Sequence, residues 1–409
     1  MPDFFVEVRY RPGRIIGFRG FPLSLLRIQF DFMKYFVIAG EPSGDLHASN
    51  LIKGLKRHDP EASFRFAGGD LMQAAAGVEP VVHYKDMAFM GLWDVLTHLR
   101  TINRNFNRIK RDIKAFAPDA VILVDYPGFN LRMAKWAKKQ GLKVFYYISP
   151  KLWAWKEGRV EIIRRYVDRM LVILPFETDY YKKHGIEVTY VGNPVKESVE
   201  NFNPSPEKVF RSSHRLSDKP LIALLPGSRK TEIKMMLPVM KELAAYYPAY
   251  EFVIAGAPSL TRTDYEPYLQ NSGIKILWNA TYDLLSHAHA AVVTSGTATL
   301  ETALFRVPQV VGYRTYKWQY ELGKLFVKID YFSLVNLILN RPAVPELLQD
   351  EFNPDKIRRE LDAVLAGPNR NEMLKNYEAL REKLGPLSPS DRAAEEIIGR
   401  LTGSLKTIE

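Results

Sequence analysis

The chain has 409 residues, 46% of them hydrophobic and 25% charged, which is material for two or three globular domains with separate cores. It has no cysteine, so disulfides and thiolate metal sites are excluded, and its eight histidines are scattered. A net charge of +11 points to a polyanionic or anionic-surface partner, such as nucleic acid, phospholipid headgroups or a phosphorylated substrate, and no apolar run is long enough to span a membrane as a helix.

Residues 1–32 stand apart as a basic leader in which Arg9, Arg11, Arg14, Arg19 and Arg27 interrupt the apolar residues. Phe21–Leu26 is too short and broken for a signal-peptide core, so the leader is expected to be disordered, with Met33 as the native start. A basic membrane-surface arm is the alternative. From there short apolar runs alternate with helix-like stretches: Tyr35–Ala39, Ala120–Val124, Val144–Ile148, Met170–Leu174 and Val188–Val191. Such alternation predicts a parallel sheet covered by helices on both faces.

Asn201–Pro220, rich in proline and serine, breaks the pattern and reads as a linker with a short helix. A second series follows at Leu221–Leu225, Tyr250–Ala255, Lys275–Leu277, Ala290–Val293 and Gln309–Val311, and helices are expected over Pro354–Leu365, Asn371–Leu384 and Ser388–Leu401. The fold class is therefore α/β, with two Rossmann-like domains over 33–200 and 201–385 and a terminal helical segment over 386–409.

In open α/β sheets ligands sit beyond the carboxyl ends of the strands, so the residues after each strand carry the functional argument. Gly40-Glu41-Pro42-Ser43-Gly44-Asp45 is a glycine-bracketed turn with two carboxylates, and it lacks the spacing of a dinucleotide fingerprint. Asp125, at the end of the next apolar run, is a candidate general base, with Glu41 in reserve; alternatively Asp125 only hydrogen-bonds its own turn. Ser149-Pro150-Lys151-Leu152-Trp153-Ala154-Trp155 brings aromatics and a cation together, suiting either a sugar face or the core.

Two turns of anion-binding type occur in the second half. Pro226-Gly227-Ser228-Arg229 offers close backbone approach and a guanidinium fork for a diphosphate. Ser295-Gly296-Thr297 opens a helix whose free N–H groups and positive dipole end also suit a phosphate, with Glu301 one turn further in and Arg314 after the following strand. The competing reading is an ordinary strand-to-helix turn with Ser295 and Thr297 as caps. No D-x-D pair is present, so leaving-group charge is expected to be neutralised without a metal, and no cofactor is expected. Nucleic acid is not expected as a partner, because no recognised reading module accompanies the charge. Met90, Leu92, Trp93, Val95 and Leu96, followed by Arg100, Arg104, Arg108, Lys110 and Arg111, suit either an anionic lipid surface and acyl chains or ordinary core packing.

In combination, AGEPSGD at Ala39–Asp45, MGLWDVL at Met90–Leu96, SPKLWAW at Ser149–Trp155, LLPGSR at Leu224–Arg229, SGTATLE at Ser295–Glu301, VVGYR at Val310–Arg314 and SLVNLI at Ser333–Ile338 resemble the lipid-A-disaccharide synthase family. The resemblance runs from Met33 to the terminal helices. It implies a GT-B architecture, with two Rossmann-like domains facing a cleft, terminal helices crossing back to the N-terminal domain, and homodimers.

The implied reaction transfers 2,3-diacylglucosamine from UDP, with inversion, onto the 6-hydroxyl of 2,3-diacylglucosamine 1-phosphate, at the cytoplasmic face of the inner membrane. By the same resemblance Asp125 and Arg229 match the essential acid and arginine. Gly227, Ser228, Ser295, Gly296, Thr297, Glu301, Arg314 and Asn336 fall on the UDP-holding segments, and Met90–Leu96 on the membrane-associating region. Two positions depart from the family pattern: Gly128 where many members are acidic, and Asn193 where a histidine is usual. The rival readings are a UDP-sugar epimerase on the same architecture and a non-catalytic nucleotide-sugar sensor at the membrane.

Overall fold

The computed structural model of the chain describes residues 6–10, 14–18, 32–87, 99–153, 157–270, 272–326, 330–385 and 388–403. They form two compact units, Met1–Gly192 together with Ser388–Glu409, and Asn193–Leu387. Within the leader, strand β1 (Val6–Tyr10) pairs antiparallel with β2 (Arg14–Phe18), where composition predicts disorder. The alternation Val6-Glu7-Val8-Arg9-Tyr10 and the Pro12-Gly13 between the strands account for that hairpin better than the arginine content does.

The first unit holds a six-stranded sheet of β3 (Lys34–Ala39), β4 (Ser63–Ala67), β5 (Ala120–Val124), β6 (Lys143–Tyr147), β7 (Arg169–Val172) and β8 (Val188–Tyr190), in the order β4-β3-β5-β6-β7-β8 and parallel throughout. The central strands are apolar along their whole length because helices cover both faces, and Ala120–Val124 is completely buried. β4 escapes the sequence reading because exposed Ser63 and half-buried Arg65 break its apolar run.

The helix Pro42–His58 buries Leu51 and Leu55 against this sheet, and the terminal helix Pro389–Thr402 returns to pack on it through Ala393, Ala394 and Ile397. Gly54 makes that approach feasible, since a Cβ there would come within 2.8 Å of the Ser390 carbonyl. Crossing back is therefore a packed interaction of the first unit.

The second unit repeats the plan with β9 (Leu221–Leu225), β10 (Glu251–Gly256), β11 (Lys275–Trp278), β12 (Ala288–Thr294), β13 (Gln309–Tyr313) and β14 (Glu346–Leu348), ordered β11-β10-β9-β12-β13-β14 and all parallel. β14 is the second strand that pattern reading misses, being only three residues long. In the expected linker, the helix Glu207–Ser213 docks Phe210 into this unit's core.

Candidate active site

An open parallel sheet accepts ligands where its strand order reverses. In the first unit the reversal lies between β3 and β5, whose ends pair at Ala39 and Val124. The turns leaving them carry Glu41 and Asp125. Asp125 and Tyr126 both take left-handed backbone conformations, φ 44° and 50°, which residues with a Cβ adopt only where the surroundings over-determine them.

Several bonds do so here. The Asp125 N–H donates to the Tyr147 carbonyl at 3.0 Å, and its own carbonyl accepts from Asn130 Nδ2 at 2.7 Å and the Tyr146 hydroxyl at 2.6 Å. The Tyr126 hydroxyl donates to the Met87 carbonyl at 2.5 Å, and its ring lies so close to Gly40 that a Cβ there would be 2.1 Å from Cδ1. The backbone of the turn is thus committed to the fold, and the Asp125 carboxylate is itself hydrogen-bonded by the Tyr126 backbone N–H.

Burial and then the charge of Glu41 raise the Asp125 pKa to about 6, while Lys151 at the end of β6 and the Tyr126 backbone N–H pull it down. A carboxylate poised there is mostly ionised at neutral pH and still basic enough to take a proton from a hydroxyl. The other carboxylate of the first turn serves the fold. Asp45 is buried and accepts from the backbone N–H groups of Gly69, Leu71 and Met72 at 2.7, 3.1 and 3.2 Å, at the start of the helix Asp70–Ala76.

In the second unit the order reverses between β9 and β12, paired at Leu225 and Val293, and both anion-type turns emerge there. Gly227 has φ 113° and lies under Glu232, whose Oε2 would be 2.4 Å from an added Cβ. That carboxylate accepts from the N–H groups of Ser228 at 2.8 Å and Arg229 at 3.3 Å, so these two amides are already engaged. The Arg229 guanidinium touches Glu232 at 3.4 Å, and its side chain is 69% exposed.

Across the reversal no side chain caps the helix Thr297–Leu304. The Ser295 hydroxyl donates instead to the Phe332 carbonyl at 2.7 Å, which removes the capping reading for that residue. Thr297 is exposed, and a Cβ on Gly296 would meet open space.

Glu301 is turned inward, accepting from the Tyr282 hydroxyl at 3.0 Å, and burial raises its pKa. Arg314 lines a cavity of about 520 Å³ with Met235, Tyr316 and Gln349. Asn336 is buried with its amide fully used: Nδ2 donates to the Val344 carbonyl and Glu346 Oε1, and Oδ1 accepts from the N–H groups of Ala343 and Val344. Its place is behind the Ser295 turn, because Glu346 also accepts from the N–H groups of Phe332 and Ser333 at 2.9 and 2.8 Å. Asn193 likewise serves its own helix, accepting from the Val195 N–H at 2.9 Å.

The structure therefore brings Glu41 and Asp125 together at one reversal, and Gly227, Ser228, Arg229, Ser295, Gly296 and Thr297 at the other. Met90, Leu92, Trp93, Val95 and Leu96 lie outside the described residues. Sequence reading passes over Glu232 and Glu346, whose partners are distant in sequence or are backbone amides. Lys151 and Trp153 are noticed, but Trp153 proves half-buried, edge-on to the Phe176 ring.

A family model described as lipid-A-disaccharide synthetase matches residues 35–396. The chain is 40% identical over 375 residues to the lipid-A-disaccharide synthase of Geobacter metallireducens, covering 90% of this chain and 97% of that protein. It is also 40% identical over 375 residues to that of Myxococcus xanthus, covering 89% and 97%.

Among solved structures, a UDP-GlcNAc 2-epimerase from Neisseria meningitidis bound to UDP-GlcNAc aligns with a TM-score of 0.61 at 14% identity, over 91% of this chain and 100% of that one. The calicheamicin glycosyltransferase CalG4 aligns at 0.57 and 15%, over 92% and 100%. At such identities these two likenesses show the GT-B fold alone, whereas the curated relatives carry the family. The chain belongs to the lipid-A-disaccharide synthase family, glycosyltransferases built on the GT-B fold.

Proposed function

We propose that the protein condenses UDP-2,3-diacylglucosamine with 2,3-diacylglucosamine 1-phosphate by a single in-line displacement. The acceptor's 6-hydroxyl loses its proton to the Asp125 carboxylate as its oxygen bonds the anomeric carbon. The bond from that carbon to the diphosphate oxygen breaks, and its electron pair leaves with UDP. Inversion gives the β-1,6 disaccharide 1-phosphate. Arg229 neutralises the departing diphosphate, helped by the uncapped helix start at Thr297.

The observation that carries this reading is a half-buried carboxylate, raised to about 6, on a strained turn at a strand-order reversal. The uracil–ribose end is assigned to the second unit, with Glu301 and Arg314 following the Ser295-Gly296-Thr297 turn in sequence. Asn336 acts in this reading by holding that turn's support.

The lipid substrates imply an anionic membrane surface. No helix among the described residues is long and apolar enough to cross a bilayer, so the contact in this reading is peripheral. The helix Leu99–Phe116 supports it: Ile109 and Ile113 are buried, while Arg100, Arg104, Arg108, Arg111 and Lys114 are exposed. Residues 90–96 would supply the apolar part, and a homodimer is included in the reading on family resemblance. The test is UDP release from UDP-2,3-diacylglucosamine with and without the monosaccharide 1-phosphate. Acceptor-dependent release is expected; release that ignores the acceptor overturns the transferase assignment and favours an epimerase-like or hydrolytic site.

A further inference from the structure

The glycine of the first anion-type turn admits a carboxylate of this chain. Gly227, at φ 113°, leaves room that Glu232 fills: an added Cβ would stand 2.4 Å from Glu232 Oε2 and 2.6 Å from Glu232 Cβ. Oε2 accepts from the Ser228 and Arg229 N–H groups at 2.8 and 3.3 Å, and Oε1 faces the Arg229 guanidinium at 3.4 Å. Glu232 is the third residue of the helix Lys230–Glu242, the position from which a glutamate or glutamine reaches back to the backbone before the helix.

The neighbouring groups of the turn are engaged within the second unit as well. The Ser228 carbonyl accepts from Ser259 Oγ at 2.9 Å, and Lys230 Nζ lies 2.8 Å from Asp264 Oδ1. With both amides satisfied by Glu232, the group this turn holds out to a diphosphate is the Arg229 side chain, 69% exposed beside a Glu232 side chain that is 21% exposed. The Ser295-Gly296-Thr297 turn is its complement, because no side chain caps the helix Thr297–Leu304 and the positive end of that helix is open to an anion. One turn therefore supplies a cation that already has a partner, and the other supplies an uncapped helix start.

We propose that Glu232 is the resident counter-ion of the diphosphate turn: Arg229 exchanges this carboxylate for the diphosphate when UDP binds and returns to it when UDP leaves. UDP is then held more weakly than the arginine alone would hold it. The inference rests on Arg229 reading the diphosphate. An exposed ion pair of this kind is weak enough to be given up, and the carboxylate, fixed by the two amides, stays beside the arriving charge as a like-charge neighbour. Both effects act in the same direction, against UDP binding and toward its release.

The test is the affinity of the full chain for UDP and for uridine, measured calorimetrically. Glu232→Gln keeps an oxygen for the two amides, since glutamine serves at this helix position as glutamate does, and removes the charge. It should bind UDP roughly three- to tenfold more tightly, the scale of one exposed ion pair together with one like charge removed. Uridine affinity and melting temperature should stay with the parent, and UDP should become a stronger product inhibitor by the same factor. Glu232→Ala, which also frees the Ser228 and Arg229 amides, should tighten UDP at least as much while melting lower.

UDP affinity unchanged or weakened in Glu232→Gln, at the parent's melting temperature, would make Glu232 a helix cap or a brace for Arg229 and overturn the proposal. A gain shared equally by uridine would overturn it too, because the diphosphate would not be its source. If Glu232→Gln does not fold, UDP binding by Glu232→Ala no tighter than the parent's overturns it instead. Arg229→Ala in parallel separates the two ideas. Unchanged UDP affinity there removes Arg229 from the diphosphate, whereas weakened affinity there with none gained in Glu232→Gln removes only the counter-ion.

Discussion

Glu41 and Asp125 leave the paired ends of β3 and β5, and the Glu41 carboxylate raises the pKa of Asp125. Lys151 acts on the same group with the opposite sign, so the acid limb of the reaction is set by a balance of neighbours. This gives a direct way to tell the two carboxylates apart. Glu41→Gln removes a like charge, and Asp125 should then titrate below about 6, with the acid limb of kcat moved to lower pH and most turnover retained. A loss of turnover at every pH would make Glu41 the base.

Asp125→Asn keeps the shape of the turn and removes its basicity. General-base help is worth roughly two to four orders of magnitude, and turnover should fall by that amount while UDP affinity, measured calorimetrically, stays near that of the parent. Near-normal turnover would sink the assignment.

The diphosphate turn makes a different demand. Arg229→Ala should weaken UDP binding and lower kcat together, by roughly one to three orders of magnitude in kcat/KM, because the cation serves bound UDP and the leaving group alike. Arg229→Lys should recover only part of this, since a point charge cannot reproduce the guanidinium fork. A change confined to the acceptor's KM would place Arg229 elsewhere.

Legibility in the sequence follows sequence distance. The long apolar strands at the sheet centres and both anion-type turns could be read because each is a local pattern, a buried run followed by a glycine or an acid. β4 and β14 could not, one being interrupted by Arg65 and the other too short to show a period. The same limit hid the supports of the site. Glu346 meets Phe332, Ser333 and Asn336 only through the fold, and Asn336, which looked like a ligand contact, spends its whole amide there. The strain at Asp125 and Tyr126 has no sequence signature, since neither is a residue that favours positive φ as glycine does.

Glu346 therefore has a predictable phenotype. Glu346→Gln keeps the volume but replaces one of the two accepting oxygens with a donor. With the remaining oxygen on Ser333 and Asn336, the Phe332 N–H is left facing an amide N–H, costing about 2 kcal/mol, the scale of a lost hydrogen bond to a charged group. The Phe332 carbonyl that receives the Ser295 hydroxyl should loosen with it. A lower melting temperature and a raised KM for the UDP-sugar are expected, with the acid limb unmoved because Asp125 is untouched. An unchanged KM would separate this network from the nucleotide site.

The raised pKa of Asp125 also makes a thermodynamic prediction. The folded state holds a proton up to about pH 6, whereas the unfolded chain releases it near the ordinary 3.8. Between those values the folded state binds more protons, so stability falls as pH rises through the interval and stays reduced above it. Asp125→Asn removes the ionisation and with it that cost, offset in part by the solvent that reaches a half-buried site. The variant should melt above the parent at pH 7–8, by an amount on the order of 1 kcal/mol, and the difference should vanish as pH approaches 4. A difference independent of pH would mean that the turn's strain, rather than the charge, is what the asparagine relieves.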